Sequence, residues 1–187
     1  MKIILSMLLI LNLMFVSAQS NYKKIANQPY AKTLKVNNQT LTFNGGGIRE
    51  KYGFIDLYTC GLYLKSTTKD ASKVIHADEE MALRIVIVSS LVTNELFIEA
   101  LEEGLKNSTS GKYTQTDIFD FKNCLTENFK IGDEVILRYV PNKGISIFMN
   151  SEKRGSVGGL SFKKALYAIW LGGNPADDSL KDDLLGL

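Results

Sequence analysis

Arg49 is the side chain of this 187-residue sequence with the clearest potential for ligand chemistry. It follows the three consecutive glycines 45–47 and precedes an apolar, aromatic run over residues 54–64 that predicts a central strand. The glycines allow a sharp turn of the backbone or the close approach of another group. A guanidinium at the mouth of a buried strand is costly unless it meets an anion or other acceptors, so Arg49 is a candidate anion-binding residue. The alternative is that it pairs with a carboxylate or carbonyls of the protein itself.

Other groups that commonly support chemistry are sparse. The sequence contains one histidine, His76, in a short predicted helix, and two cysteines, Cys60 and Cys124. Because His and Cys do not cluster, we expect neither a metal site nor a cofactor. Two cysteines in an exported protein would allow a disulfide, but both lie in patterns of buried elements, which favours two small free core residues.

The first 18 residues have the pattern of a signal peptide. Lys2 precedes an apolar stretch over residues 3–16, and Val16-Ser17-Ala18 matches a small-residue cleavage site. The apolar stretch is short for a membrane span, and no later stretch is long enough to cross a bilayer. We therefore expect an exported protein, periplasmic or secreted, without stable membrane insertion and with a single domain over residues 19–187. The formal charge of +2, with interspersed lysines and acidic residues, gives no indication of nucleic-acid binding.

Apolar periodicity predicts both strands and helices. Further strands are predicted, with an Asn-rich turn after the first, over residues 33–36, 40–43, 81–89, 135–140 and 145–149. Helices are predicted over residues 70–77, 93–105, 116–128, from a Ser161 cap to Gly172, and over 178–185. Residues 21–30 are predicted to be a loose polar leader, and residues 155–159 a glycine-rich connection. Trp170 is interpreted as an apolar anchor of a packed helix.

Two separated segments resemble chalcone isomerase-like proteins. They are GGGIREKYGFIDLYTCGLYL, over residues 45–64, and the carboxy-terminal FKKALYAIWLGGNPADDSLKDDLLGL, which resembles the bacterial, exported branch of that family. The resemblance covers nearly all of the mature chain. It implies the fold of that family, an α+β domain with an antiparallel β-sheet and helices layered on one face.

One function implied by the resemblance is enzymatic. Chalcone isomerases close a flavanone ring in a cleft, with an arginine that maps onto Arg49. The supporting polar residues of those enzymes map onto Tyr58 and close to Phe97, Gly104 and Ile169 of this chain. Most of these lack the donors that would orient water and stabilise a phenolate, so no catalytic residue is assigned and isomerase activity is not expected.

The fatty-acid-binding branch of the same fold resembles this sequence more closely. It pairs the arginine with a tyrosine on the following strand, a position that maps onto Tyr58. Arg49 would hold the carboxylate of a small amphipathic acid through a two-pronged contact, and Tyr58 would add a hydrogen bond. The acyl tail would lie among apolar side chains such as Phe97 and Leu101. We therefore expect a monomeric, non-catalytic fatty-acid binder; the remaining alternative is a ligand-free scaffold, which a cleft filled by side chains would favour.

Overall fold

The computed structural model describes residues 21–36 and 38–187 of the chain. The predicted signal peptide, and Asn37 of the predicted Asn-rich turn, lie outside the described part. Within that part the chain forms nine strands and five helices. The first two strands pair with each other as a separate antiparallel hairpin, β1 (Tyr22–Ile25) and β2 (Gln28–Ala31).

Seven strands form one antiparallel sheet in which each strand lies beside its neighbours in the chain. Their order is β3 (Thr33–Val36), β4 (Gln39–Lys51), β5 (Ile55–Leu64), β6 (Met81–Ile87), β7 (Glu134–Val140), β8 (Gly144–Met149) and β9 (Glu152–Val157). The helices occur in three places along the chain. They are α1 (Ala71–His76) after β5, α2 (Asn94–Asn107) and α3 (Gln115–Cys124) before β7, and α4 (Leu160–Leu171) and α5 (Asp178–Leu185) after β9.

All five helices cover one face of the sheet. Their buried side chains join the inward-facing strand residues in the main hydrophobic core, which includes Leu83, Leu137 and Leu166. The opposite face packs against hairpin β1–β2 in a smaller core around Tyr30 and Tyr63. This arrangement confirms the predicted α+β domain, an antiparallel sheet with helices layered on one face.

Several predicted boundaries are confirmed. Strands β3, β7 and β8 and helix α5 occupy the predicted residues within one position. Asp70 caps α1, since its Oδ1 accepts hydrogen bonds from the amides of Ser72 and Lys73 at 2.9 and 3.2 Å. Thr93 caps α2 in the same way through the Leu96 amide, at 3.2 Å.

Helix α4 is buried on nearly every side, as expected for a helix that is apolar all round. It carries one fully buried charge, the ammonium of Lys163. The Nζ atom donates to the carbonyls of Val74, Ile75 and Ala77 at 2.8, 3.0 and 2.7 Å. These carbonyls lie at the C-terminal end of α1, where they have no hydrogen-bond donor within the helix. Lys163 supplies that donor and links α1 to α4.

The glycines 45–47 lie within β4, so a sharp turn, the first of the two roles that the sequence allowed, is not found at this position. A β-carbon at Gly45 or at Gly47 would overlap atoms of Asp183 in α5. The second role that the sequence allowed, close approach of another group, is therefore the one found. The turn that follows β4 is formed instead by Tyr52 and Gly53, which both have positive φ.

Two segments that were predicted to be irregular are strands. Residues 21–30 contribute to hairpin β1–β2 because the two residues between the strands adopt the positive φ angles of a tight turn. Residues 152–157 form β9, which overlaps the predicted glycine-rich connection. A glycine is needed at position 155 of this strand, since a β-carbon there would lie 2.5 Å from the sulfur of Cys124 in α3.

Two helix boundaries also differ from the predictions. Helix α3 ends at Cys124, four residues before the predicted end at residue 128. Ser161 does not cap α4, because the helix already begins at Leu160 and the Ser161 hydroxyl accepts a hydrogen bond from the Lys112 amide at 2.9 Å. Cys60 and Cys124 are both buried and free.

Substituting Gly47 with alanine should disturb the contact between α5 and the sheet. The added methyl group would overlap the Asp183 side chain, so either the helix or the strand must move. We expect the free energy of unfolding to fall by about 1–3 kcal/mol, measured by urea denaturation. Gly173→Ala is the control, since its β-carbon meets nothing within 4 Å. Equal stability of the Gly47→Ala variant and the wild type would contradict this account of the contact.

Candidate functional site

A cavity of about 340 Å³ lies where β4, β5, α2, α4 and the α4–α5 connection meet. All four of the predicted site residues line it, namely Arg49, Tyr58, Phe97 and Leu101. Three of the other lining residues are polar, namely Glu103, Asn107 and Asn174, and the rest are apolar or glycine, namely Leu57, Ala100, Gly104, Ile169, Trp170, Pro175 and Ala176. The volume falls at the lower end of the range of small-molecule sites, about 300–1,000 Å³.

Arg49 and Tyr58 are placed side by side by the sheet itself. They are directly opposite each other in the antiparallel register of β4 and β5. Residues opposite each other on neighbouring strands project to the same face, here the face covered by the helices. The predicted pair is therefore a consequence of strand register, which the motif spacing alone could not fix.

The guanidinium of Arg49 is only partly used by the protein. Its Nη1 atom donates to the carboxylate of Asp177 at 3.1 Å and to the backbone carbonyl of Glu50. Among the described residues, neither Nε nor Nη2 makes a hydrogen bond to a protein acceptor. The side chain is 27% exposed. The structure thus shows the alternative that the sequence left open, pairing with a carboxylate and a carbonyl of the protein itself, through Nη1; the Nε–Nη2 edge makes no such bond within the described residues.

Asp177 contacts the site through Arg49 without lining the cavity, and the sequence did not indicate this contact. Its Oδ1 accepts from the amide of Leu180 at 3.0 Å, which caps α5, and its Oδ2 accepts from Arg49 and from the Glu50 amide at 3.3 Å. The aspartate directly before α5 suggests a cap. Its contact with an arginine 128 residues earlier has no local signal in the sequence.

Tyr58 presents a buried hydroxyl group to the same cavity. The oxygen accepts a hydrogen bond from Trp170 Nε1 at 3.0 Å. Burial raises the pKa of Tyr58 above its ordinary value, with a further increase from the neighbouring Cys60. The hydroxyl therefore stays protonated, and its own proton can be donated to a ligand. Trp170 is the packed anchor that was predicted, and it also orients this hydroxyl.

The apolar wall of the cavity is built by helices α2 and α4. Phe97 lies edge-on to Tyr58, with ring centroids 6.3 Å apart, and edge-on to Phe129 at 5.4 Å. Gly104 allows α2 to approach α4, since a β-carbon there would lie 2.7 Å from Ile169 Cγ2. The positions onto which polar groups of the isomerases map are thus in the cavity, but the side chains at Phe97, Gly104 and Ile169 offer no hydrogen-bond donor.

Two further features are absent from residues 21–36 and 38–187. No group of three or more His, Cys, Asp or Glu side chains in this part is arranged to hold a metal ion. None of the described helices combines the length and apolar character needed to cross a bilayer.

The likeness of this chain to known proteins concerns its fold and one sequence family. No curated protein matches the sequence at a significant level. Among solved structures, a fatty-acid binding protein of Arabidopsis thaliana has a similar fold, with a TM-score of 0.67 over 85% of this chain and 92% of that one. The two sequences are 18% identical, so this likeness concerns the fold. The sequence profile described as chalcone isomerase-like matches residues 22–186. The chain therefore belongs to the chalcone isomerase-like family.

Proposed function

We propose that the protein is a non-catalytic binding protein for a fatty acid. The observation that carries the proposal is the cavity, in which two hydrogen-bond donors, Arg49 and Tyr58, adjoin a wall of apolar side chains. A fatty acid has the same division into one anionic group and an apolar chain. The shared fold of the Arabidopsis fatty-acid binding protein supports this assignment.

The carboxylate would bind at the Nε–Nη2 edge of Arg49. A guanidinium edge and a carboxylate match in geometry and form two charge-assisted hydrogen bonds. The protonated hydroxyl of Tyr58 would donate a third hydrogen bond without adding a charge. The acyl chain would lie against Phe97 and Leu101, where each buried methylene contributes about 0.8 kcal/mol, or about fourfold in affinity.

The cavity argues against the two alternatives. A scaffold without a ligand is expected to fill its cleft with side chains, whereas here a volume of about 340 Å³ is open. An isomerase of the chalcone type needs polar groups that orient water and stabilise a phenolate. The side chains of Phe97, Gly104 and Ile169 supply none of these groups, and the polar lining residues Glu103, Asn107 and Asn174 stand at other positions.

Export of the mature protein is part of the proposal. It rests on the sequence of residues 1–18, in which a lysine, an apolar stretch and a small-residue cleavage site follow one another. Amino-terminal sequencing of the protein isolated from its host would test this part, with Gln19 expected as the first residue.

The test of binding is a series of saturated acids from octanoic to hexadecanoic, titrated into delipidated protein by calorimetry. We expect the affinity to rise about fourfold per methylene until the cavity is filled and then to level off. At a ligand concentration of one hundred times Kd, the free energy of unfolding should increase by about 2.7 kcal/mol. Absence of binding for every acid, together with absence of acid co-purified from the host in native mass spectra, would refute the proposal.

A pair of matched variants tests whether the tail lies in this cavity. Leu101→Phe narrows the cavity from α2, whereas Ile98→Phe enlarges a buried side chain of the same helix that does not line it. Both variants are expected to lose about 1–3 kcal/mol of stability from overpacking. Only Leu101→Phe should shift the chain length at which the affinity levels off toward shorter acids. An equal shift in both variants would show that the acyl tail does not lie in this cavity.

A further inference from the structure

Arg49 reaches the cavity as half of an ion pair. Its Nη1 lies 3.1 Å from Asp177 Oδ2, and the Asp177 side chain is only 14% exposed. The amides of Glu50 and Leu180 also bond this carboxylate, so it is fixed in place. A ligand head group bound at Arg49 would therefore be close to a negative as well as a positive charge, although Asp177 contacts Arg49 without itself lining the cavity.

These contacts give Asp177 two opposite effects on an anionic ligand. Together with the Glu50 carbonyl it occupies Nη1, which orients the guanidinium and leaves the Nε–Nη2 edge for the ligand. Its negative charge, however, repels a carboxylate bound at that edge. Since the pair is largely shielded from water, this repulsion is weakly screened and should outweigh the gain from orientation.

We propose that Asp177 determines the head-group specificity of the cavity by offsetting the charge of Arg49. The proposal rests on the binding function proposed above. It implies that the cavity accepts single-chain lipids with an uncharged hydroxyl head group nearly as well as fatty acids. Such a head group can accept hydrogen bonds from Arg49 and Tyr58 without the repulsion from Asp177.

Asp177 is distinguished from the other acidic residues near Arg49 by direct contact. Asp178 and Asp183 line a second pocket beside Arg49, together with Asp177, and Glu103 lines the cavity itself without an ion pair to Arg49 among the described residues. Among the described ion pairs, the one that includes Arg49 is formed with Asp177. Asp178 therefore serves as a control for a negative charge that is close to the arginine but not bonded to it.

The experiment compares the affinities of dodecanoic acid and dodecanol, measured by calorimetry at neutral pH and constant salt. The variants are Asp177→Asn and Asp177→Ser, which remove the charge but keep a residue type that caps helices well, so that α5 is retained. Asp178→Asn is the control. For the wild type we expect the acid to bind no more than about tenfold more tightly than the alcohol.

Both Asp177 variants should bind the acid about three- to tenfold more tightly than the wild type, the range expected for a partly buried charge pair. Their affinity for the alcohol, and both affinities of Asp178→Asn, should stay within about twofold. Unchanged or weaker acid binding in the Asp177 variants, or an equal gain in affinity for acid and alcohol, would overturn this inference but not the proposed binding function. If the wild type binds neither probe, the proposed binding function is refuted and the inference with it.

Discussion

Glutamine in place of Arg49 is expected to weaken the binding of a fatty acid by about 10- to 100-fold. The variant loses the charge-assisted hydrogen bonds to the carboxylate, which together are worth about 1.5–3 kcal/mol. It also leaves the Asp177 carboxylate without its cation, which adds repulsion toward the bound acid. Calorimetric titration with dodecanoic acid measures the loss directly. An alcohol of equal chain length should lose much less affinity, because it interacts with the same edge without a charge.

Two further variants test whether the loss is specific to Arg49 and how much of it comes from the unpaired Asp177 carboxylate. Arg138→Gln removes an arginine that lines the opposite side of the molecule, near Tyr63 and the β1–β2 hairpin, and should leave the affinity unchanged. The double variant Arg49→Gln with Asp177→Asn removes both charges and should recover part of the loss. If Arg49→Gln and Arg138→Gln bind dodecanoic acid equally well, Arg49 does not hold the carboxylate.

Methionine in place of Lys163 is expected to lower the free energy of unfolding by about 2–4 kcal/mol. The apolar stem is replaced at similar size, but the carbonyls of Val74, Ile75 and Ala77 lose the donor they share. Buried carbonyls without a partner are costly, and α1 loses its link to α4. Urea denaturation measures the change. Lys164→Met, on the same helix but only partly buried, is the control and should change the stability by less than about 0.5 kcal/mol.

The pH dependence of stability gives Lys163 a second signature. Burial, reinforced by Lys164, lowers the pKa of Lys163 from 10.5 to about 8. At pH values between these two pKa values, the unfolded chain binds more protons at Lys163 than the folded chain does, so the free energy of unfolding rises with pH. The contribution of Lys163 to this free energy is therefore complete above about pH 10.5 and is lost as the pH falls through 8. The gap in stability between the wild type and Lys163→Met should therefore widen as the pH rises from about 8. A constant gap would show that Lys163 keeps its proton throughout.

The central strand and the outline of the site could be predicted because their signals are local. The apolar run around Tyr58 specifies β5, and the helical spacing of Phe97 and Leu101 specifies the inner face of α2. The glycines before Arg49 were ambiguous for a physical reason. A missing side chain permits a turn and permits a close neighbour equally, and the neighbour, α5, lies more than 120 residues further along the chain.

The polar contacts of the site could not be predicted, since they depend on tertiary structure. Asp177 meets Arg49, and Trp170 meets Tyr58, only after α4 and α5 have packed on the sheet. Each of these residues has a sufficient local explanation, the aspartate as a helix cap and the tryptophan as an apolar anchor. The sequence therefore offered no reason to assign either of them to the cavity.

Strand β9 escaped prediction because it begins with Glu152, Lys153 and Arg154, which lack the apolar alternation of a strand. In the described sheet β9 has a single neighbour, β8, so one row of its backbone donors and acceptors is open to another chain. Three consecutive charged side chains oppose the docking of a foreign strand along this border. The charged composition that kept β9 from being predicted thus opposes extension of the sheet by another molecule at this edge.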